Sequence, residues 1–182
     1  GIEVLNAFKD WDFDIMLYVN EADRNTEQVL RGIDGVSSTY GAYETWEGVN
    51  VVDTDYTIRY LQGIDTERYN DYVHFDYDGK GDPKEALEKL DDGRNIMIAQ
   101  MARDELELKI GDQITLEMKS GDKTYRVIGF FESLFSNGST AIISQKYYKA
   151  DMKESHFGSF YINTHKNPDE VLLTIQDKFI RQ

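Results

Sequence analysis

The chain opens and closes with the same local pattern, an alternating strand followed by a short polar loop and an amphipathic helix. The first copy alternates apolar and polar side chains over residues 13–19 and continues into a helix for which Asn25 is the expected N-cap. The last copy alternates over residues 160–164 and continues into a helix that opens at Asn167-Pro168. Because strands and helices with one apolar side must bury it, we expect two similar βα units packed side by side, with the rest of the chain inserted between them.

The inserted segment has clear local signals of its own. Alternation over 114–118, a turn at Ser120-Gly121-Asp122 and a return strand over 125–130 predict a β-hairpin. Asp82-Pro83 combines an N-cap with a proline at the first helical position and so predicts a helix start. Together with the terminal βα units, these signals predict an α+β fold with a mainly β insertion.

Composition narrows the class of protein. Among 182 residues there are 20 Lys+Arg and 34 Asp+Glu, so the net charge is 20 − 34 = −14. This charge argues against binding nucleic acid, whose phosphates would be repelled. With 0 Cys, the chain has no thiol nucleophile, disulfide or cysteine-ligated metal. Hydrophobic residues make up 40% of the chain, enough for a folded core, yet no run approaches the roughly 20 apolar residues of a membrane span.

The residues indicate no catalytic, cofactor-binding or metal-binding site. His74, His156 and His165 share no metal-binding spacing, and the serines lie outside any nucleophile motif. The acidic loop at 76–82 fails as a calcium loop, because Lys80 and Leu87 occupy two ligand positions; Asp82 is better explained as a helix cap. A pair of catalytic carboxylates would leave no recognisable spacing, so a hydrolase stays open as a minor alternative.

An aromatic and acidic segment offers a candidate binding surface. Tyrosine, tryptophan and phenylalanine are favoured at protein interfaces, although aromatic side chains on strands more often belong to the core. Trp11, Trp46 and the many tyrosines are therefore ambiguous individually. The segment that mixes aromatic with acidic residues is the one we expect to bind a partner; its aromatic residues are Tyr69, Tyr72, Phe75 and Tyr77.

The order of motifs resembles a known family. An apolar strand and short helix over 95–102 lead to Ile110-Gly111-Asp112 and an "itl" strand, and the hairpin ends in Val127-Ile128-Gly129. Earlier, Ile33-Asp34-Gly35-Val36 and Gly63-Ile64-Asp65 stand at corresponding places. In this order and spacing, the chain resembles the extracytoplasmic domains of MacB/FtsX-type ABC transporter permeases.

The resemblance implies a division into two subdomains. In such domains, two βα-type units form a porter subdomain, and a mainly β insertion forms a sabre subdomain. Transferred to this sequence, it places residues 1–56 and 146–182 in a discontinuous porter-like subdomain. Residues 57–145 form the inserted sabre-like subdomain.

The resemblance also implies a function. The chain would be a non-catalytic extracellular domain that couples ATP-driven conformational change to export or to an extracellular partner, at the cell membrane on its extracellular or periplasmic side. Its expected partners are an ABC ATPase subunit reached through membrane helices flanking the chain, a second permease copy, and an extracellular protein or a peptide or lipid substrate. The alternative is a free-standing secreted or surface module that binds carbohydrate or calcium.

Overall fold

The computed structural model describes residues 2–6, 12–74, 76–78, 81–132 and 138–180. The strands are β1 (Ile2–Asn6), β2 (Ile15–Val19), β3 (Val36–Thr45), β4 (Val49–Asn50), β5 (Thr57–Ile58), β6 (Tyr60–Ile64), β7 (Asp76–Asp78), β8 (Asn95–Ala99), β9 (Gln113–Met118), β10 (Gly121–Glu132), β11 (Thr140–Ser144) and β12 (Ser159–Thr164). The helices are α1 (Arg24–Arg31), α2 (Pro83–Lys89), α3 (Gln100–Leu106), α4 (Gln145–Asp151) and α5 (Pro168–Ile180). Short 3-10 turns lie at Tyr69–Asp71 and Leu90–Asp92.

The chain forms two compact units. The terminal unit consists of Gly1–Ala42, Asp71–His74 and Ser155–Gln182. The central unit consists of Tyr43–Asn70 and Phe75–Glu154.

The terminal unit is built around the two βα copies seen in the sequence. Its sheet has the order β1-β2-β12-β3, and every pairing is antiparallel. Leu17 of β2 lies opposite Phe160 of β12, so the strands of the two copies are direct neighbours. Their apolar faces share one buried cluster: Ile15, Leu17, Ala22, Leu30, Ile33, Phe160, Ile162, Val171 and Ile175. The expected side-by-side packing of two βα units is therefore confirmed.

The start of α1 differs from the sequence prediction. Asp23, not Asn25, is the N-cap, and its side chain accepts hydrogen bonds from the backbone N–H groups of Asn25 and Thr26 at 2.9 and 3.1 Å. The Thr26 hydroxyl oxygen in turn accepts from the N–H of Asp23. These reciprocal hydrogen bonds satisfy three backbone donors and explain why the helix begins earlier than expected.

The central unit contains a mixed sheet. The last residues of β3 pair with β6, and the order continues through β11, β8 and β10 to β7, while β9 pairs with β10. The pairs β6–β11 and β8–β10 are parallel. The predicted hairpin is confirmed as β9 and β10, and the predicted helix start is confirmed by Asp82, whose side chain accepts from the N–H of Lys84.

The Ile110-Gly111-Asp112 motif forms the turn that introduces this hairpin. Gly111 has φ +97°, a left-handed conformation that glycine adopts without strain. The N–H of Gly111 donates to the carbonyl of Val127, and the N–H of Val127 donates to the carbonyl of Asp112. The Asp112 side chain also accepts from the N–H of Lys109 at 2.8 Å. The motif thus has a structural role, which is to set the position of β9 against β10.

A charged cluster in the central unit joins the buried side chains of Asp151 and Tyr125 to the partly exposed side chain of Arg94. The guanidinium of Arg94 donates from Nε and from one terminal nitrogen to the two carboxylate oxygens of Asp151, each at 2.8 Å, and the Tyr125 hydroxyl donates to the same carboxylate. Burial raises the pKa of Asp151, but the hydrogen bonds from Arg94 and Tyr125 outweigh it, so this pKa lies below its usual value. Burial, with the neighbouring carboxylate, raises the pKa of Tyr125. The cluster joins the start of β8, strand β10 and the end of α4.

The α+β class agrees with the prediction, and the two compact units have bounds that differ from those of the predicted subdomains. Residues 43–56 and 146–154, which the sequence assigned to the discontinuous subdomain, belong to the central unit. Residues 71–74 belong to the terminal unit. The reason is visible in the pairing, since residues 43–45 bond to β6 and α4 packs on β6. The identification of the units as porter-like and sabre-like stays a prediction.

Candidate functional site

Two of the four aromatic residues predicted to bind a partner lie in the interior. Tyr69 is buried in the central unit, and its hydroxyl donates to Oε1 of Gln62 at 3.3 Å. Tyr72 is buried in the terminal unit, where its ring packs on Tyr40 at 5.2 Å and its hydroxyl donates to the carbonyl of Thr39. Burial of this kind does not fit an exposed surface, because both side chains already fill the core.

The other two residues of that segment are less informative. Tyr77, on the edge strand β7, is half-buried and lies over Gly129 of β10, a residue with no side chain to obstruct the ring. Burial raises the pKa of Tyr77, and the charge of Asp78 adds to the effect. Phe75 lies outside the described residues. The partner-binding role of the segment stays a prediction, and Tyr77 is the residue among the three described that still has exposed surface.

A more exposed aromatic residue lies in the turn after β3. Trp46 is 44% exposed, and its ring is stacked on that of Tyr60 with centroids 3.9 Å apart and planes 10° apart. Its indole N–H donates to Oε2 of Glu44 at 2.9 Å, and the Tyr60 hydroxyl donates to Oε1 of the same carboxylate at 2.9 Å. The exposed indole is therefore held in one orientation from two sides. We call Glu44, Trp46, Glu47 and Tyr60 the Trp46 corner.

The local sequence explains this position. The Thr45 hydroxyl accepts a hydrogen bond from the N–H of Glu47, and Gly48 has φ +92°, so the chain turns sharply after Trp46. An aromatic residue in a turn with glycine two residues later is a weak signal of an exposed ring. The sequence singled out Trp46 only as one ambiguous aromatic residue among many, and missed that Glu44 and Tyr60 would orient it.

The surroundings of the Trp46 corner are acidic. Burial raises the pKa of Tyr148, and the charges of Glu44, Glu154 and Glu47 raise it further. Tyr43 packs against Tyr148 at 6.2 Å, and the ammonium of Lys149 lies 5.4 Å from the centre of the Tyr43 ring. Aromatic rings and carboxylates at this place can interact with cations, as the contact of Lys149 already illustrates.

The central unit also has an open cleft of about 300 Å³. It lies between the segment after β4 and the end of α3 with the following loop. Its lining residues are Val51, Val52, Asp53, Thr54, Leu106, Leu108, Gln113, Ile114 and Thr115. Leu106 and Leu108 are both half-buried here. The lining mixes apolar side chains with Asp53, Thr54, Gln113 and Thr115, an arrangement that suggests no chemistry.

Metal sites and membrane spans were also sought within the described ranges. Their His, Asp and Glu side chains form no group of three or more that could hold a metal ion. Residues 79 and 80 of the acidic loop lie outside those ranges. No helix in the part of the chain that the structure covers has the length and hydropathy to cross a bilayer.

Comparison with known proteins gives a result at the level of structure. No protein-family model and no curated protein sequence matches the chain. The extracellular domain of the noncanonic ABC-type transporter YknZ from Gram-positive bacteria matches with a TM-score of 0.59 and 18% identity, over 86% of this chain and 83% of that one. The periplasmic region of MacB from Actinobacillus actinomycetemcomitans matches with a TM-score of 0.60 and 13% identity, over 90% and 75%.

These likenesses define the class of fold. The chain has the fold of the extracytoplasmic, MacB-like domains of ABC transporter permeases. The resemblance found in the motif order is thereby confirmed at the level of fold. At identities of 18% and 13%, the roles of individual residues do not transfer from these proteins.

Proposed function

We propose that this chain is the extracytoplasmic domain of a permease subunit of an ABC transporter, held at the cell membrane on its extracellular or periplasmic side. The observation that supports the proposal is the fold, which is shared with two such domains over 86% and 90% of the chain. The domain would do no chemistry of its own, and ATP would be hydrolysed on a separate ATPase subunit.

The construction of the terminal unit suits a coupling role. Strands from the first and last parts of the chain are neighbours, and α1 and α5 contribute Leu30 and Ile175 to the same buried cluster. Packed interiors deform little, so a movement imposed on either end would be transmitted through one core as a rigid-body motion. In the proposed arrangement, membrane helices adjoin both ends of the chain and impose this movement.

The proposed partners follow from the same arrangement. They are an ABC ATPase subunit, reached through the membrane helices, and a second permease copy beside the first. The third partner would be an extracellular protein on which the motion acts, or a peptide or lipid substrate that the motion exports. The two solved relatives are described as transporter domains, which is consistent with these partners in general terms.

The proposal is tested in the full-length protein with its ATPase subunit in lipid nanodiscs. Because the chain has 0 Cys, one spin label can be placed at Glu117→Cys in the central unit or at Lys178→Cys in the terminal unit. Both residues are exposed, so labels should leave the fold intact. We expect the distance between labels on the two permease copies to change when ATP hydrolysis is trapped.

An ATPase subunit that binds but cannot hydrolyse ATP serves as the control for the trapped state. The proposal is wrong if the complete gene encodes no apolar helices beside this segment. It is equally wrong if the distance distributions at both labelling sites are unchanged by nucleotide.

A further inference from the structure

The Trp46 corner combines an exposed ring with fixed geometry. An exposed tryptophan normally samples several rotamers, and a binding partner would have to restrict them at an entropic cost. Here the stack on Tyr60 and the hydrogen bond to Glu44 already hold the indole. Pre-organised aromatic residues of this kind are the usual anchors of protein interfaces.

The electrostatics of the corner select the charge of the partner. The face of an indole attracts cations, and its N–H donates to a carboxylate, which polarises the ring and increases the negative charge on its face. Glu47 is exposed next to Trp46 and carries a second negative charge. The chain as a whole has a net charge of −14, which repels anionic partners and favours cationic ones.

We propose that the Trp46 corner binds an arginine-bearing peptide segment of an extracellular partner protein, with a guanidinium stacked on Trp46 and paired with Glu47. Arginine fits better than lysine, because its planar group can stack on an indole and hydrogen-bond a carboxylate at the same time. The inference names the chemistry of the partner in the proposed function and rests on that function for the partner's identity. Binding to the chain itself does not depend on transport.

The test uses a hexa-arginine peptide and the folded chain at physiological salt, where attraction between distant charges is largely screened. Binding is followed through the NMR signals of the two indole N–H groups, of Trp46 and Trp11. We expect the peptide to shift the Trp46 signal, and choline at the same concentration to leave it in place.

Three variants separate a specific site from general attraction to an acidic protein. Trp46→Leu keeps an apolar side chain without the π face, and followed through backbone amides it should weaken binding about threefold. Glu47→Gln should weaken binding by a similar factor without touching the ring. Asp122→Asn removes one exposed charge near the start of β10 and is the matched control, which should bind like the unaltered chain.

The outcomes decide the inference. Equal binding by all variants, or a Trp46 signal that the peptide does not shift, overturns it. If Trp46→Leu lowers the melting temperature appreciably, the comparison of Glu47→Gln with Asp122→Asn alone decides between a specific site and general attraction to an acidic protein. If Trp46→Leu and Glu47→Gln lose peptide binding while the distances between spin labels still depend on nucleotide, the proposed function stands and the Trp46 corner is its contact site. Unchanged distances with intact, Trp46-dependent peptide binding would reject the transport role alone.

Discussion

The two units differ in what fills their interiors. The terminal unit packs around an apolar cluster in which Leu17, Leu30 and Ile175 are fully buried. The central unit buries hydrogen-bonded polar side chains as well: Tyr125 and Asp151 are buried beside the exposed Arg94, and the buried hydroxyls of Thr66 and Ser144 donate to the carboxylate of the exposed Asp91. Apolar packing is non-directional, whereas a polar cluster is stable only with its partners and protonation states intact.

The difference shows which unit depends on solution conditions. Removing a group from a buried polar cluster leaves its partners without hydrogen bonds in a region that water does not reach easily. The apolar cluster of the terminal unit has no group that titrates, and the buried tyrosines of that unit, Tyr40, Tyr72 and Tyr161, are not members of it. We therefore expect the central unit to respond more strongly to pH and to single polar substitutions, and the predictions below test that contrast.

The largest expected effect is selective loss of the central unit in alkali. Burial raises the pKa of Tyr69, Tyr125 and Tyr148, all in the central unit. A tyrosine whose folded pKa is raised stabilises the fold fully below about pH 10, the unfolded pKa, and this contribution is lost as pH rises toward the folded pKa. Tyrosinate absorbance and amide hydrogen exchange, followed together, should show the central unit opening first. Simultaneous opening of both units would contradict the contrast.

The next largest effect concerns the buried carboxylate. Asp151→Ala leaves the Tyr125 hydroxyl without its acceptor and the Arg94 guanidinium, which is partly exposed, without its ion pair. We expect the free energy of unfolding of the central unit to fall by about 3 kcal/mol in urea denaturation. The control is Asp34→Asn, which breaks the exposed ion pair with Lys166 in the terminal unit and should change nothing measurable. Comparable losses in both variants would show that burial is not the deciding factor.

A pair of glycine substitutions gives the smallest expected effects. A Cβ at Gly63 would lie 2.3 Å from Cβ of Tyr148, the fixed end of a buried side chain, so Gly63→Ala should cost about 2 kcal/mol. A Cβ at Gly41 would lie 2.6 Å from ring atoms of Phe157, which are the far end of a half-buried side chain and not its fixed Cβ. Gly41→Ala should therefore cost less than about 1 kcal/mol. Thermal unfolding of both variants checks the order, and a larger loss in Gly41→Ala would reverse it.

The sequence predicts local elements better than it predicts their grouping. The hairpin and the Asp82 cap were readable because they depend on residues close together in the chain. Residues 43–56 and 146–154 lie in the central compact unit, because residues of β3 pair with β6 and α4 packs against β6, which the local pattern does not indicate. Alternation of side chains does not specify which strands become neighbours.

The same limit applies to the candidate site. In the sequence, Tyr69 and Tyr72 resemble exposed interface residues. In the structure both are buried: the hydroxyl of Tyr69 donates to the side chain of Gln62, and that of Tyr72 donates to the carbonyl of Thr39. The orientation of Trp46 depends on Tyr60, fourteen residues away along a chain that first forms β4 and β5. Contacts across such distances have no signature in composition or spacing.

The strand order of the terminal unit determines when this unit can fold during synthesis of the chain. Its sheet needs β12, which begins at Ser159, to fill the place between β2 and β3. A chain made from its N-terminus has therefore synthesised every residue of the central unit before β12 exists. Until then, β2 and β3 present unpaired backbone edges of the kind that promote aggregation. We expect nascent chains that stop before residue 159 to contain a folded central unit and to need a chaperone for the rest.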